Sequence, residues 1–230
     1  MPVSDYHQIP DVLAVVQQAS PDRILDVGVG FGKWGILCRE VLELYKERVQ
    51  PDTWTVHIDG VEIHEPYRNP LWELAYDRIY IGNVLDVLDS LGRYGLILCC
   101  DVIEHFDKES GKALLKKLCD HGDLVVITSP KGFAPQGAIY HNDYERHRSG
   151  WGVADFAGVP HIFKEIGFTF MAVVSADAAR LRNIRVQGPL DVLGAKRGVV
   201  EVLRLLGNRL RHRAKSSLWT ARNAVPASHR

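Results

Sequence analysis

Apolar and polar positions along this chain fall into short apolar runs separated by amphipathic stretches, the alternation expected of βαβ units around a parallel sheet. Residues 10–19, with Val12, Leu13, Val15 and Val16, predict a leading helix, and residues 23–28 a first strand that ends in glycine. Residues 33–48 carry Ile36, Leu37, Val41, Leu44 and Tyr45 on one side and predict a second helix. Strands follow at 53–63, 78–81, 94–102 and 123–129, with a helix over 108–119 before the last of these. A long segment rich in glycine, proline and histidine then runs to Gly152, followed by a predicted helix over 153–166 and a β-branched stretch over 168–175.

A chain of 230 residues, 46% of them hydrophobic, has material for one substantial core plus an appendage. The first residues lack the basic and apolar regions of a signal peptide, and no apolar run approaches the ~18 residues of a spanning helix. Cys38, Cys99, Cys100 and Cys119 form no C-x-x-C pair and read as buried, reduced thiols, so a cytoplasmic location is expected. The formal net charge of zero conceals a split. Residues 195–230 hold nine basic residues (Lys196, Arg197, Arg204, Arg209, Arg211, Arg213, Lys215, Arg222 and Arg230) against one acid, Glu201. The chain therefore divides into an acidic body, 1–194, and a basic tail. In the tail Val199, Leu203, Leu206 and Leu210 share one helical face, a basic amphipathic pattern. Such a helix is expected to dock on the domain, to contact a second subunit in a homodimer, or to make peripheral membrane contact. Nucleic acid is disfavoured because the acidic body repels phosphate.

The stretch from Ile24 to Lys33 carries the most chemistry. Gly28, Gly30 and Gly32 lie between a predicted strand and a helix, the usual ligand crevice of an open α/β sheet. Glycines there allow positive φ and close approach of a bound molecule to the backbone. The spacing is G-x-G-x-G, with Asp26 two residues before it, rather than the G-x-G-x-x-G of dinucleotide sites.

Together these residues resemble motif I of the class I S-adenosylmethionine (SAM)-dependent methyltransferases, and the resemblance extends over roughly residues 20–175. It implies a doubly wound, mostly parallel seven-stranded α/β sheet, here with a C-terminal basic helical extension. SAM is the implied cofactor. Glu62, at the end of the second strand, is the implied acceptor for both ribose hydroxyls, a role suited to an acceptor-only carboxylate. Asn83 stands where the family commonly has aspartate beside the adenine, next to Val84, while Asp86 reads as a helix N-cap. The run Asp101-Val102-Ile103-Glu104-His105 resembles motif IV, at the edge of the methyl-transfer pocket, so Asp101 belongs to both the donor site and the catalytic set.

Two readings of that run stay open. Asp101 and Glu104 shape the site while His105 contacts substrate, or Asp101, Glu104 and His105 bind a divalent cation suited to oxygen and imidazole ligands. In the polar segment before Gly152, His147 is the first candidate for general base and His141 a weaker one, since an imidazole titrates near ~6.5. Tyr144 and Trp151 are candidates for an aromatic wall or for core packing, and Arg148 for an anionic group on the substrate. The expected reaction is methyl transfer from SAM to a hydroxyl, or secondarily an amine, of a small metabolite or sugar. A metal-assisted O-methyltransferase acting on RNA ribose and a non-catalytic SAM-binding scaffold are the alternatives.

Overall fold

The computed structural model describes residues 4–186, so the predicted amphipathic tail lies outside the described residues. Apolar runs become five parallel strands: β1 (Arg23–Val27), β2 (His57–Glu62), β3 (Arg78–Ile81), β4 (Tyr94–Cys100) and β5 (Gly122–Pro130). Two more, β6 (His161–Ile166) and β7 (Thr169–Val174), pair antiparallel with each other, and β7 pairs antiparallel with β5. The sheet order is β3-β2-β1-β4-β5-β7-β6. The order reverses between β1 and β4, and a crevice opens at the carboxyl ends of strands where that happens.

Helices α1 (Ile9–Ala19), α2 (Lys33–Leu42) and α3 (Pro70–Ala75) feed one hydrophobic cluster, which includes Val12, Val16, Trp34, Leu42 and Trp72. Short α4 (Val84–Val87) and the longer α5 (Lys108–His121) feed a second, with Leu88, Leu114, Leu118, Trp151 and Phe156. The strands supply both by alternation. In β4, Leu96 and Leu98 belong to the first cluster and Ile97 and Cys99 to the second, as the two-residue period of a strand requires. A final turn of helix, α6 (Ala178–Leu181), follows β7. All four cysteines are buried and free.

Four expectations are corrected. The second helix stops at Leu42, because buried Glu43 turns its carboxylate onto the backbone N–H groups of Thr55 (2.9 Å) and Val56 (2.7 Å) and onto Arg48, pulling the chain into a connection. That connection takes up the front of the predicted second strand, which begins only at His57. The predicted helix over 153–166 is instead a single 3₁₀ turn, Val153–Phe156, followed by β6. Pro160 has no N–H for a helix interior and disfavours helical geometry at Val159, and Gly167, at φ 58°, makes the turn into β7. Asp86 does not cap α4. Asn83 does, its side-chain oxygen accepting from Leu85 N at 3.0 Å.

Candidate active site

At the end of β1 the chain enters the glycine loop, and the three glycines divide the work. Gly28 (φ 77°) and Gly30 (φ 52°) line a cleft of about 380 Å³. A Cβ on Gly28 would sit 2.4 Å from Val102 Cγ2. Gly32 (φ 89°) begins α2 and faces the rings of Trp72 and Tyr76 instead of the cleft. Trp72 Nε1 donates to the Gly30 carbonyl at 2.8 Å, and Gly28 N donates to Val61 O at 2.9 Å, so the loop is fixed from both sides.

Asp26 lies behind the loop, fully buried and outside the cleft lining. Its Oδ2 accepts from the Tyr76 hydroxyl at 2.5 Å, and that hydroxyl accepts from Gly35 N at 3.0 Å. Burial, opposed by the Tyr76 hydrogen bond, raises the Asp26 carboxyl to about 7. Asp26 is thus a brace between β1 and the start of α2.

Glu62 ends β2 and lines the cleft. Its Oε2 accepts from Gly30 N (2.9 Å) and its Oε1 from His64 N (2.8 Å). Burial pushes the carboxyl upward, and those two backbone bonds oppose the shift. Each oxygen keeps acceptor capacity for one further donor. Asn83 and Val84 line the same end of the cleft.

Asp101 follows β4 in left-handed backbone geometry (φ 54°), a conformation aspartate tolerates better than most residues but which still costs energy. Its side chain accepts from Asp5 N (2.9 Å), Gln8 Nε2 (3.1 Å) and Thr128 Oγ1 (3.0 Å). Glu104 is buried, and its carboxyl is pushed well above the usual range by burial and then by Asp101. Its Oε2 has no hydrogen-bond partner among the described residues.

The histidine-rich segment returns over this edge. Its base is held by Gly132 N donating to Trp151 O (2.8 Å), and Arg148 N and Ser149 N donate to the Glu104 carbonyl at 2.8 and 3.2 Å. His147 Nδ1 bonds Ala134 O at 2.6 Å, and His105 Nδ1 bonds Arg146 O at 3.2 Å. The two rings meet edge to face, centroids 5.0 Å apart. His105 lines the cleft and His147 sits behind it. Burial lowers the His105 pKa. Ligand-capable atoms of Glu104, His105 and His147 all lie within 4.8 Å of one another. Asp101, the third member of the expected cation set, is not in that group.

Tyr144 and Arg148 line the cleft, with Arg148 paired to Asp143 at 2.7 Å. His141 is exposed, adopts positive φ (59°) and does not line the cleft. Trp151 is only 1% exposed. It packs in the second core cluster with its Nε1 on Ser149 Oγ, so of its two candidate roles it takes core packing.

Sequence reading missed a polar knot at the cleft wall. The Tyr67 hydroxyl donates to Glu145 Oε1 (2.7 Å) and accepts from Asn142 Nδ2 (3.0 Å), and all three residues line the cleft. Tyr67 lies in the short connection after β2, and nothing in its spacing points across 75 residues to Asn142. Lys33 was missed as well, although it directly follows Gly32. It lines the cleft, and burial lowers its ammonium pKa.

No family model and no curated protein matches the chain. Solved structures do. An O-methyltransferase family protein from Burkholderia thailandensis aligns at TM-score 0.54 and 12% identity, over 74% of this chain and 56% of that one. This chain thus spans little more than half the length of that relative. A SAM-dependent methyltransferase from Archaeoglobus fulgidus aligns at TM-score 0.51 and 15% identity, over 73% and 90%. TehB from Haemophilus influenzae aligns at TM-score 0.51 and 11% identity, over 73% and 62%. With the seven-stranded order and the antiparallel β6–β7 pair at one edge, these likenesses establish that the chain has the class I methyltransferase fold.

Proposed function

We propose that the cleft binds SAM and that the protein moves its methyl group to a hydroxyl of a small metabolite or sugar. The observation that carries this reading is the junction of Gly28, Gly30 and Glu62. Two glycines in left-handed geometry bare their backbone to a cleft of about 380 Å³, and a buried carboxylate with acceptor capacity to spare stands beside them. The volume is within the ~300–1,000 Å³ usual for small-molecule sites. A side chain at Gly28 would strike Val102, another residue of the cleft lining, so only glycine leaves the backbone bare at that point of the wall.

Bound there, the donor supplies a methyl carbon on a sulfonium, electrophilic without further activation. The protein's own residues then have two tasks. Glu62, with Asn83 and Val84, fixes the nucleoside, so the acceptor need only be held in line, a positioning effect that reaches ~7–11 kcal/mol. The second task is removal of the acceptor's proton. Of the two histidines, His105 faces the cleft, so Nε2 of His105 takes that proton, with His147 packed behind it. A lowered pKa keeps His105 neutral and able to accept at neutral pH. Tyr144 and Arg148 stand on the acceptor side of the same wall.

Calorimetry with S-adenosylhomocysteine tests the donor site. Incubation of labelled SAM with fractionated cell extract, followed by mass analysis for products that gain one CH₂, identifies the acceptor. Absence of any heat at concentrations of order millimolar would end this reading.

A cation-assisted mechanism has its own supporting observation. Both histidines of the Glu104, His105 and His147 cluster spend Nδ1 on a backbone carbonyl, which leaves Nε2 of each for a ligand, and Glu104 Oε2 is unpartnered among the described residues. Carbonyl bonds of this kind orient metal-binding imidazoles. Under that reading EDTA abolishes turnover and Mn²⁺ binding is lost in Glu104→Gln. An unchanged rate in chelator removes it.

A further inference from the structure

The segment from Ser4 to Gln8 lies against the end of the cleft away from Glu62. A single peptide unit there bridges two opposite charges. The Ser4 carbonyl accepts from Lys33 Nζ at 2.5 Å, and the Asp5 N–H on the other side of the same peptide donates to Asp101 Oδ2 at 2.9 Å. Ser4, Lys33 and Asp101 all line the cleft. Neither Lys33 nor Asp101 forms an ion pair within 4.0 Å among the described residues, although each feels charges nearby. A half-buried ammonium and a carboxylate in strained backbone geometry are therefore satisfied mainly by neutral groups.

We infer that Lys33 and Asp101 recognise the zwitterionic amino-acid end of the donor, and that the Ser4–Asp5 peptide holds their places until the donor's carboxylate and ammonium displace it. This rests on the reading of the cleft as a SAM site. Topology sets the polarity. Across the sheet the order is β2, β1, β4, so Glu62, the glycine loop and Asp101 succeed one another along the carboxyl edge. A ligand with its sugar at Glu62 and its chain running over Gly28 reaches Asp101 and Lys33 at its far end. Exchange is favourable because the present bonds carry charge on one side only, whereas a carboxylate on Lys33 and an ammonium on Asp101 put opposite charges on both sides and add ion-pair attraction to the hydrogen bond.

The test compares two ligands by calorimetry on the full chain. S-adenosylhomocysteine carries the amino-acid end, whereas 5′-methylthioadenosine keeps the nucleoside and thioether without it. Lys33→Met should weaken S-adenosylhomocysteine by about tenfold or more and leave 5′-methylthioadenosine within about twofold. Asp5→Pro removes the N–H held by Asp101 at a residue whose φ of −56° suits proline. It should tighten S-adenosylhomocysteine about threefold, again without effect on 5′-methylthioadenosine.

Equal losses for both ligands in Lys33→Met, or no loss for either, overturn the inference. Should Lys33→Met fail to fold, unchanged or weaker S-adenosylhomocysteine binding by Asp5→Pro overturns it alone. A wild-type chain that binds neither ligand removes the donor-site reading itself, and this inference with it.

Discussion

At Asp26, burial brings a carboxyl into the neutral range. Its carboxyl is raised to about 7 in the folded chain, against an unfolded value near ~3.9. Between those values the folded state holds a proton that the unfolded state has released, so this group adds stability as pH falls from about 7 toward 4 and subtracts it as pH rises. Asp26→Asn should remove that dependence. Melting temperatures from pH 5 to 8 should fall less steeply for the variant than for wild type, with a difference of about 3 kcal/mol or less across the window. A parallel pair of curves would show that Asp26 does not titrate there. Gly28→Ala combines strained φ with a 2.4 Å clash on Val102. It should cost about 1–3 kcal/mol in urea denaturation and abolish S-adenosylhomocysteine binding. His105 makes a pH prediction of opposite sense. The base must be neutral, and its pKa lies below its ordinary value, so kcat/KM should hold as pH drops past 6.5 and fall only below it, and the limb should vanish in His105→Asn. At this scale the place of Gly28, Gly30 and Glu62 in the cleft wall was legible, the glycines from their spacing and Glu62 from the family resemblance, whereas Gly32 turns to Trp72 and Tyr76 instead. Lys33, Asp101's partners and Tyr67 were not, because each acts through contacts between distant parts of the chain.

Elements show the reverse balance. Strands β1, β4 and β5 could be read from apolar runs alone, since a strand buried on both faces needs little else, whereas β2 begins four residues later than its run suggests and β3 is partly exposed. The second helix and the segment 153–166 could not. In both, a buried charge or a proline outweighs apolar periodicity, as Glu43 does at the end of α2 and Pro160 does ahead of β6. The contact of α5 with the histidine-rich segment is likewise tertiary. Gly111 of α5 lies under Trp151, where a Cβ would stand 2.5 Å from Trp151 Cζ2. Gly111→Ala should therefore cost about 1–3 kcal/mol by overpacking, and much of that loss should return in the double variant with Trp151→Phe, whose smaller ring leaves room. Additive losses in the urea midpoints of the double-mutant cycle would show that the two positions do not share this contact.

Across the molecule, every residue assigned to the site falls within the Met1–Val186 unit. A chain ended after Val186 should bind S-adenosylhomocysteine within about threefold of the full chain by calorimetry, as expected of a unit with its own core. A loss of binding would mean that the basic segment completes the site. Among the described residues no helix is long and apolar enough to cross a membrane. Because Gly132 and Trp151 are tied to each other, the stretch between them begins and ends at one place on the scaffold, and its further ties, to Glu104, His105 and Tyr67, lie along the cleft wall. Doubling such an excursion adds only about 0.6 kcal/mol of closure entropy. New acceptor specificities can therefore arise by rewriting that excursion while the sheet and the donor cradle stay untouched.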